Sequence, residues 1–259
     1  MMSEDAVREF WYKALTEGED GNHRMFHLLG LIPANPRCKM CNAPFKGVGR
    51  IVSRLFGKKQ SKQNPYFCNY CLSTPAGGAE VELTMLFADV RGSTSLAEKI
   101  SPSEFSRLME RFFKVATDVL VRTDALIDKL VGDEVIGLYV PGWAGKQHSQ
   151  RAFTAAKELL KATGHGEGKE PWLPIGIGVH TGIAFVGAVA GAEGIITDIT
   201  ALGDNVNTTA RLASTAGAGE ILISEAACNS SGIMLNDHEL RQLDLKGKSS
   251  RVGVRVVRV

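Results

Sequence analysis

An α+β sandwich, with helices packed on a mainly antiparallel sheet, is predicted for most of this 259-residue chain by three observations. From residue 81 onward, short runs of β-branched residues alternate with segments of helical period in the order strand, helix, hairpin, helix, strand. A Gly132-Asp133 pair separates two of these runs as a tight turn does. Before residue 81 the pattern differs, because four of the five cysteines fall in two close pairs and a stretch STPAGGA follows them. Proline, glycine and small residues in such a stretch mark a boundary. The element order is that of a ferredoxin-like βαββαβ domain. The expected organisation is a short helical lead-in over 1–35, a four-cysteine metal-binding module over 36–72, a linker over 73–80 and the α+β domain over 81–259.

Taken in order, residues 5–16 place Val7, Phe10, Trp11 and Leu15 on one helical face, and 23–30 form a second short helix ending at Gly30 with Pro33 beyond. Between the cysteine pairs lies a loop holding Phe45, Val48, Ile51, Val52, Leu55 and Phe56, with one short helix in it. Residues 81–90 form a strand, 94–100 and 102–121 helices, and 125–131 with 135–140 the hairpin. A helix follows at 149–163. Glycine-rich strands are expected at 173–181 and 183–190, then a strand at 195–202, a helix at 204–215, and strands at 220–224 and 251–258.

The hydrophobic fraction of 44% and the length suffice to bury a core of ordinary size, so a wholly disordered chain is excluded. Net charge is +2 but uneven: residues 37–79 hold eight Lys or Arg and no Asp or Glu, whereas 81–259 balance 19 basic against 21 acidic. The basic 37–62 segment could address nucleic acid or an acidic partner, and it could equally be a solvated basic face. No charged leader with an apolar stretch opens the chain, which points to a cytoplasmic protein. The apolar run 175–196 carries six glycines, His180 and Glu193, so two buried strands explain it better than a membrane span, and no membrane partner is expected.

In a cytoplasmic chain, paired cysteines indicate metal before disulfide. Cys38-x2-Cys41 and Cys68-x2-Cys71, 26 residues apart, have the spacing of two knuckles closing one tetrahedral site. One zinc ion per chain is the expected occupant, an iron–sulfur cluster the alternative, and four unliganded buried thiols the bland one. Cys228 stands alone as a small apolar residue.

Three segments carry chemistry. In LFADVRGST an apolar strand ends at Asp89, and Gly92, Ser93 and Thr94 open the next helix, where a carboxylate beside free amides can hold magnesium against a triphosphate. An ordinary helix cap reads the same way. In DKLVGDEV, Lys129 and Asp133 are four apart around a tight turn, so they share a face unless the turn breaks the parity. In TALGDNVNTTARLAS, Asn207 and Arg211 stand at i and i+4, which puts an amide and a guanidinium on one helical face.

Together these segments resemble the signatures of the class III adenylate and guanylate cyclases. GVHTGIAFVG is similar to that family's glycine-rich strand pair, and LKGK at 245–248 to its late strand before the terminal one; the likeness covers about 82–259 and not the front of the chain. The resemblance implies metal-binding roles for Asp89 and Asp133, with two Mg2+ or Mn2+ ions. It implies adenine reading by Lys129 and Thr200, ribose orientation by Asn207 and transition-state stabilisation by Arg211. It further implies phosphate contact by Lys246 or Lys248. Many relatives carry Asp where Thr200 stands, and a hydroxyl discriminates less. The implied reaction is attack of the ribose 3′-oxygen of ATP on the α-phosphorus, giving cyclic AMP and pyrophosphate at the interface of a head-to-tail homodimer. A cyclase for GTP or a pyrimidine triphosphate is the alternative within enzymes, and a non-catalytic nucleotide sensor the alternative outside them.

Overall fold

The computed structural model describes residues 3–18, 28–32, 36–61, 67–72, 77–166, 168, 170–190, 197–248 and 250–259. In chain order the helices are α1 (Glu4–Thr16), α2 (Gly47–Leu55), α3 (Asn69–Leu72), α4 (Ser93–Lys99), α5 (Pro102–Arg122), α6 (Pro141–Ala144), α7 (His148–Ala162), α8 (Asp204–Thr215) and α9 (Glu225–Ser231). The strands are β1 (Gly77–Val90), β2 (Leu126–Val131), β3 (Glu134–Tyr139), β4 (Ile175–Ala190), β5 (Thr197–Leu202), β6 (Glu220–Ser224), β7 (Glu239–Leu243) and β8 (Val252–Arg258).

Two compact units are formed, one from Met1–Val81, Val140–Lys146 and Ala184–Leu202, the other from Glu82–Tyr139, Gln147–Ile183 and Gly203–Val259. In the first, α1 is capped by Ser3, whose side chain accepts from the Ala6 amide, and it buries Trp11, Ala14 and Leu15. Val7 and Phe10, expected on that face, are only half-buried, and Ala14 takes their place because α1 presses closely on α6. A Cβ on Gly142 would come within 2.6 Å of the Ala14 carbonyl oxygen, so glycine permits the approach. The second half of β4 pairs antiparallel with β5, Phe185 opposite Leu202 through Ala190 opposite Thr197.

The second unit holds a sheet in the order β2-β3-β1-β4-β6-β8-β7. The pairs β1–β3, β2–β3, β6–β8 and β7–β8 are antiparallel, whereas β4 and β6 run parallel with Ile177 opposite Ile221, as a crossover through α8 requires. Helix α5 starts at a capping box, with Ser101 and Glu104 satisfying each other's amides and Pro102 in the first turn. Its face of Met109, Phe112, Ala116, Val119 and Leu120 is buried. Strand β6, with every residue buried, and the cluster Leu212, Ala216, Leu222, Leu245, Val254 and Val256 lock α8 onto the sheet.

The α+β class and most elements match the expectation, but the short helices α3 and α6 were not expected. Residues 173–181 and 183–190 do not form two strands; they are one strand, β4, from 175 to 190. Gly182 marks a close approach and not a turn, since a Cβ there would meet the Asn205 side chain at 2.5 Å. Strand β1 begins at Gly77, inside the stretch expected as linker, whose residues 73–76 lie outside the described residues. The late strand that the resemblance placed at 245–248 lies instead at 239–243 as β7, with 245–248 a turn, because ELRQL reads as polar and its burial is that of an edge strand; helix α9 was not expected. Of the expected helix 23–30, residues 28–30 are helical and 23–27 lie outside the described residues, as do Pro33 and the 195–196 start of the expected strand. Among the described residues, no helix is long and apolar enough to cross a membrane.

Candidate active site and cysteine centre

Strand β1 delivers Asp89 to the tip of the β2–β3 hairpin. Asp89 lies opposite Glu134 across the β1–β3 ladder, and the Val90 amide donates to the Asp133 carbonyl at 3.1 Å. The two predicted metal aspartates thus stand beside each other, with Glu134 as a third carboxylate. Burial raises the Asp89 carboxyl above its ordinary value, and Asp133 adds to this against the pull of Arg91. Glu134 is pushed up to about 7, by burial first and then by the charges of Asp89 and Asp133. A cation would relieve the repulsion among these carboxylates, which are the ligands magnesium and manganese take.

Glu134 makes the unligated protein pH-sensitive. Its folded carboxyl holds a proton more tightly than the unfolded chain does, so the contribution to stability is present at low pH and is lost as pH rises from 4.5 through about 7. Without divalent metal, the melting temperature is expected to fall across that window. Glu134→Gln is expected to flatten the fall by about 2–4 °C, the response to about 1 kcal/mol once water screening of this half-buried group is allowed for. Thermal melts in chelator at pH 5 and pH 8 check this.

Arg91, which sequence reasoning passed over, ties the site together. Its guanidinium pairs with Asp89 at 2.6 Å and donates to the Ser214 carbonyl at 2.8 Å and the Ala216 carbonyl at 3.3 Å, at the end of α8. Gly92 sits in the left-handed region at φ 70°, where glycine is favoured, and caps α4. Ser93 and Thr94 form the first turn of that helix.

Lys129 projects from β2 just after the ladder shifts register between Ile127 and Lys129, and from Lys129 to Val131 the pairing with β3 is regular. Its ammonium lies 3.3 Å from Asp128, whose side chain is 3% exposed. Gly132, at φ 61°, turns the hairpin. Thr200 is buried on β5 opposite Gly187 and belongs to the other compact unit.

Helix α8 carries Asn207 exposed in its first turn and Arg211 half-buried one turn on. The Arg211 guanidinium packs against Gly247, which has φ 77° in the 245–248 turn. Lys248 forms an ion pair with Asp204 at the start of α8 and lowers that carboxyl's pKa, whereas Lys246 is exposed. Behind α8, His180 is buried, with Nδ1 2.8 Å from the Ser224 hydroxyl and Nε2 3.0 Å from Asn205 Oδ1. The Asn205 amide in turn donates to the Ile183 carbonyl. Burial lowers the His180 pKa, and the arrangement suits a neutral ring that fixes the first turn of α8. The HTG triplet around His180 is its only sequence signal.

In the first unit, Cys38, Cys41, Cys68 and Cys71 are all buried and their sulfurs lie within 4.8 Å of one another. The Cys41–Cys68 separation is 3.7 Å, and a tetrahedron with ~2.3 Å arms has edges of ~3.8 Å, so the donors could hold a single tetrahedral metal ion. The Cys68 amide donates to Cys38 Sγ and the Cys71 amide to Cys68 Sγ, bonds that favour thiolates. Burial pushes Cys38 up, while its hydrogen bond draws Cys41 down to about 7. Burial works to lower Lys58, but the nearby sulfurs outweigh it and its pKa rises.

A family model described as the adenylate and guanylate cyclase catalytic domain matches residues 79–254, and the chain belongs to this family. Adenylate cyclase 1 of Rhizobium meliloti is 30% identical over 136 residues, covering 51% of this chain and 20% of the relative. An adenylate cyclase of Anabaena cylindrica is 28% identical over 170 residues, covering 62% and 30%. The chain therefore matches less than a third of the length of these relatives. Among solved structures, the guanylyl cyclase Cya2 aligns with a TM-score of 0.60 at 28% identity, over 70% of this chain and 93% of that one. The adenylyl cyclase CyaB from P. aeruginosa also gives 0.60 at 28%, over 71% and 97%.

Proposed function

We propose that this protein is a cytoplasmic adenylate cyclase that converts ATP to 3′,5′-cyclic AMP and pyrophosphate at the interface of a head-to-tail homodimer. The observation that carries the reading is the set Asp89, Asp133, Asn207 and Arg211 present in one chain, with the two aspartates adjacent at a hairpin tip and the other two on one face of α8. When bound at Asp89 and Asp133, two magnesium or manganese ions would supply charge neutralisation and a lower pKa at the ribose 3′-hydroxyl. The chain's own groups position and stabilise: Asn207 orients the ribose, Arg211 faces the charge developing at the α-phosphorus, and Lys246 or Lys248 meets the terminal phosphates. Because Lys248 is held by Asp204, Lys246 is the one at liberty to reach a ligand without breaking an ion pair.

Similarity does not choose the base, since cyclases named for adenylate and for guanylate align equally well. Lys129 and Thr200 support adenine, since a lysine donor and a hydroxyl suit its ring nitrogen and amino group. Incubation with ATP, GTP, CTP and UTP separately, with Mg or Mn and mass identification of products, tests this. Cyclic AMP as the dominant product supports it, another cyclic nucleotide overturns the base assignment, and no product from dimeric metal-loaded protein overturns the enzyme.

The four-cysteine centre is proposed to hold one structural zinc. The compact sulfur separation supports one ion over a cluster, whose several irons would spread the thiolates. Cys41→Ser, or a strong chelator, is expected to release one zinc per chain and expose the segment between the knuckles to protease within minutes. Colorimetric zinc release and limited proteolysis read this, and visible absorption in anaerobically purified protein would instead indicate iron.

A further inference from the structure

Helix α2 turns its small side inward. Ser53 is buried and donates to the Pro44 carbonyl at 2.8 Å, and Gly49 packs so tightly that a Cβ would come within 2.6 Å of the Pro44 ring. The larger apolar residues of the same helix face out, with Val48 75%, Ile51 64% and Leu55 81% exposed, and Phe56 at its end 56% exposed. At spacings of three and four, Val48, Ile51 and Leu55 make one stripe. Folding alone would bury such a stripe, so its exposure marks a contact surface.

Beside the stripe runs a cationic one. Arg50 and Arg54, one turn apart, line a cavity of about 340 Å³ with Lys58, Lys59, Phe45 and Gln60. Residues 37–79 contain no Asp or Glu, so within the segment only the cysteine sulfurs near Lys58 offset this charge. A groove fringed with four cations next to exposed aliphatic side chains calls for a partner that is both anionic and apolar. Nucleic acid supplies the phosphates, but its bases are met chiefly by stacked aromatic side chains and by polar groups, and a row of three aliphatic residues finds more apolar surface at a lipid boundary.

We propose that this face docks on an anionic phospholipid surface, with lipid phosphates in the Arg50/Arg54/Lys58/Lys59 cavity and Val48, Ile51, Leu55 and Phe56 at the acyl boundary. The expectation of no membrane partner rested on the lack of a spanning segment, which a surface helix does not need. The proposal does not rest on the cyclase reading, because the face lies wholly in the segment that the family does not cover.

The test is co-sedimentation of the full chain with vesicles of phosphatidylcholine alone or phosphatidylcholine with phosphatidylglycerol, nucleotide cyclisation being assayed in parallel as a control of folding. Wild type is expected to sediment with the anionic vesicles only, and less in high salt. Arg50→Glu with Arg54→Glu, and separately Ile51→Ser with Leu55→Ser, are each expected to weaken binding roughly tenfold or more. Should a variant fail to fold, slowed amide exchange over 48–58 of the wild type on anionic vesicles carries the same information. Absence of wild-type binding overturns the proposal, as does binding that survives loss of Ile51 and Leu55, which would indicate a purely polyanionic partner. Self-association that disappears in the Ile51/Leu55 variant, without vesicle binding, overturns it in favour of a second copy of the chain.

Discussion

Arg211→Ala is expected to lower kcat about 10²–10³-fold while changing the KM for ATP by less than tenfold. The guanidinium is half-buried one helical turn beyond Asn207 and braced by the Gly247 turn, so its charge is in place before the reaction begins. An interaction of that kind is worth most where charge develops and less in the ground state. Single-turnover kinetics and ATP binding by the variant separate the two cases. A raised KM with unchanged kcat would make Arg211 a binding residue only.

Asp89→Ala is expected to reduce turnover by about 10³-fold or more, because it removes one of the two carboxylates proposed to hold the metals. The fold should persist, since Asp89 ends its strand and its side chain is 22% exposed. Loss of Asp89 also frees Arg91, so Asp89→Asn serves as the milder control. The pair of variants tests the dimer directly. In a head-to-tail arrangement Asp89 of one copy works with Arg211 of the other, so a mixed dimer of Asp89→Ala and Arg211→Ala chains has one doubly damaged site and one intact site. Mixing two nearly inactive proteins is then expected to restore about a quarter of wild-type activity after random exchange. Restoration near zero, with exchange shown by mass, would mean that each chain builds its own site.

The parts of the site written in local sequence were legible before the structure. Asp89 stands where an apolar run gives way to small residues, and Asn207 and Arg211 are spaced as one helical face. Neighbours brought by pairing were not. Glu134 looks like the first residue of an ordinary strand, and only the β1–β3 register sets it opposite Asp89. Arg91 looks like a surface residue, yet its partners on α8 are more than a hundred positions away. The bulge at Asp128 leaves no mark in the sequence pattern, and it comes before Lys129 in the chain. Glycine was read as punctuation at position 182, where it makes room for Asn205 inside a continuous strand. Thr200 was found by likeness alone, with no local signal that a buried threonine on β5 matters. In the loop between the cysteine pairs, Phe45 is buried and Val52 half-buried, while the other four apolar residues singled out are exposed.

The position of β8 bears on how the protein is made. The last strand of the chain lies inside the sheet, with β6 on one side and β7 on the other. While the ribosome still holds residues 252–258, β6 has a bare edge and the 245–248 turn has no hairpin to carry it to Arg211. Synthesis therefore passes through a stage in which every side chain of α8 exists but its surroundings are unfinished. Arg211 acquires its brace only once β8 has paired, not when its own helix is made, and until then the open edge of β6 is the surface that chaperones would have to shield.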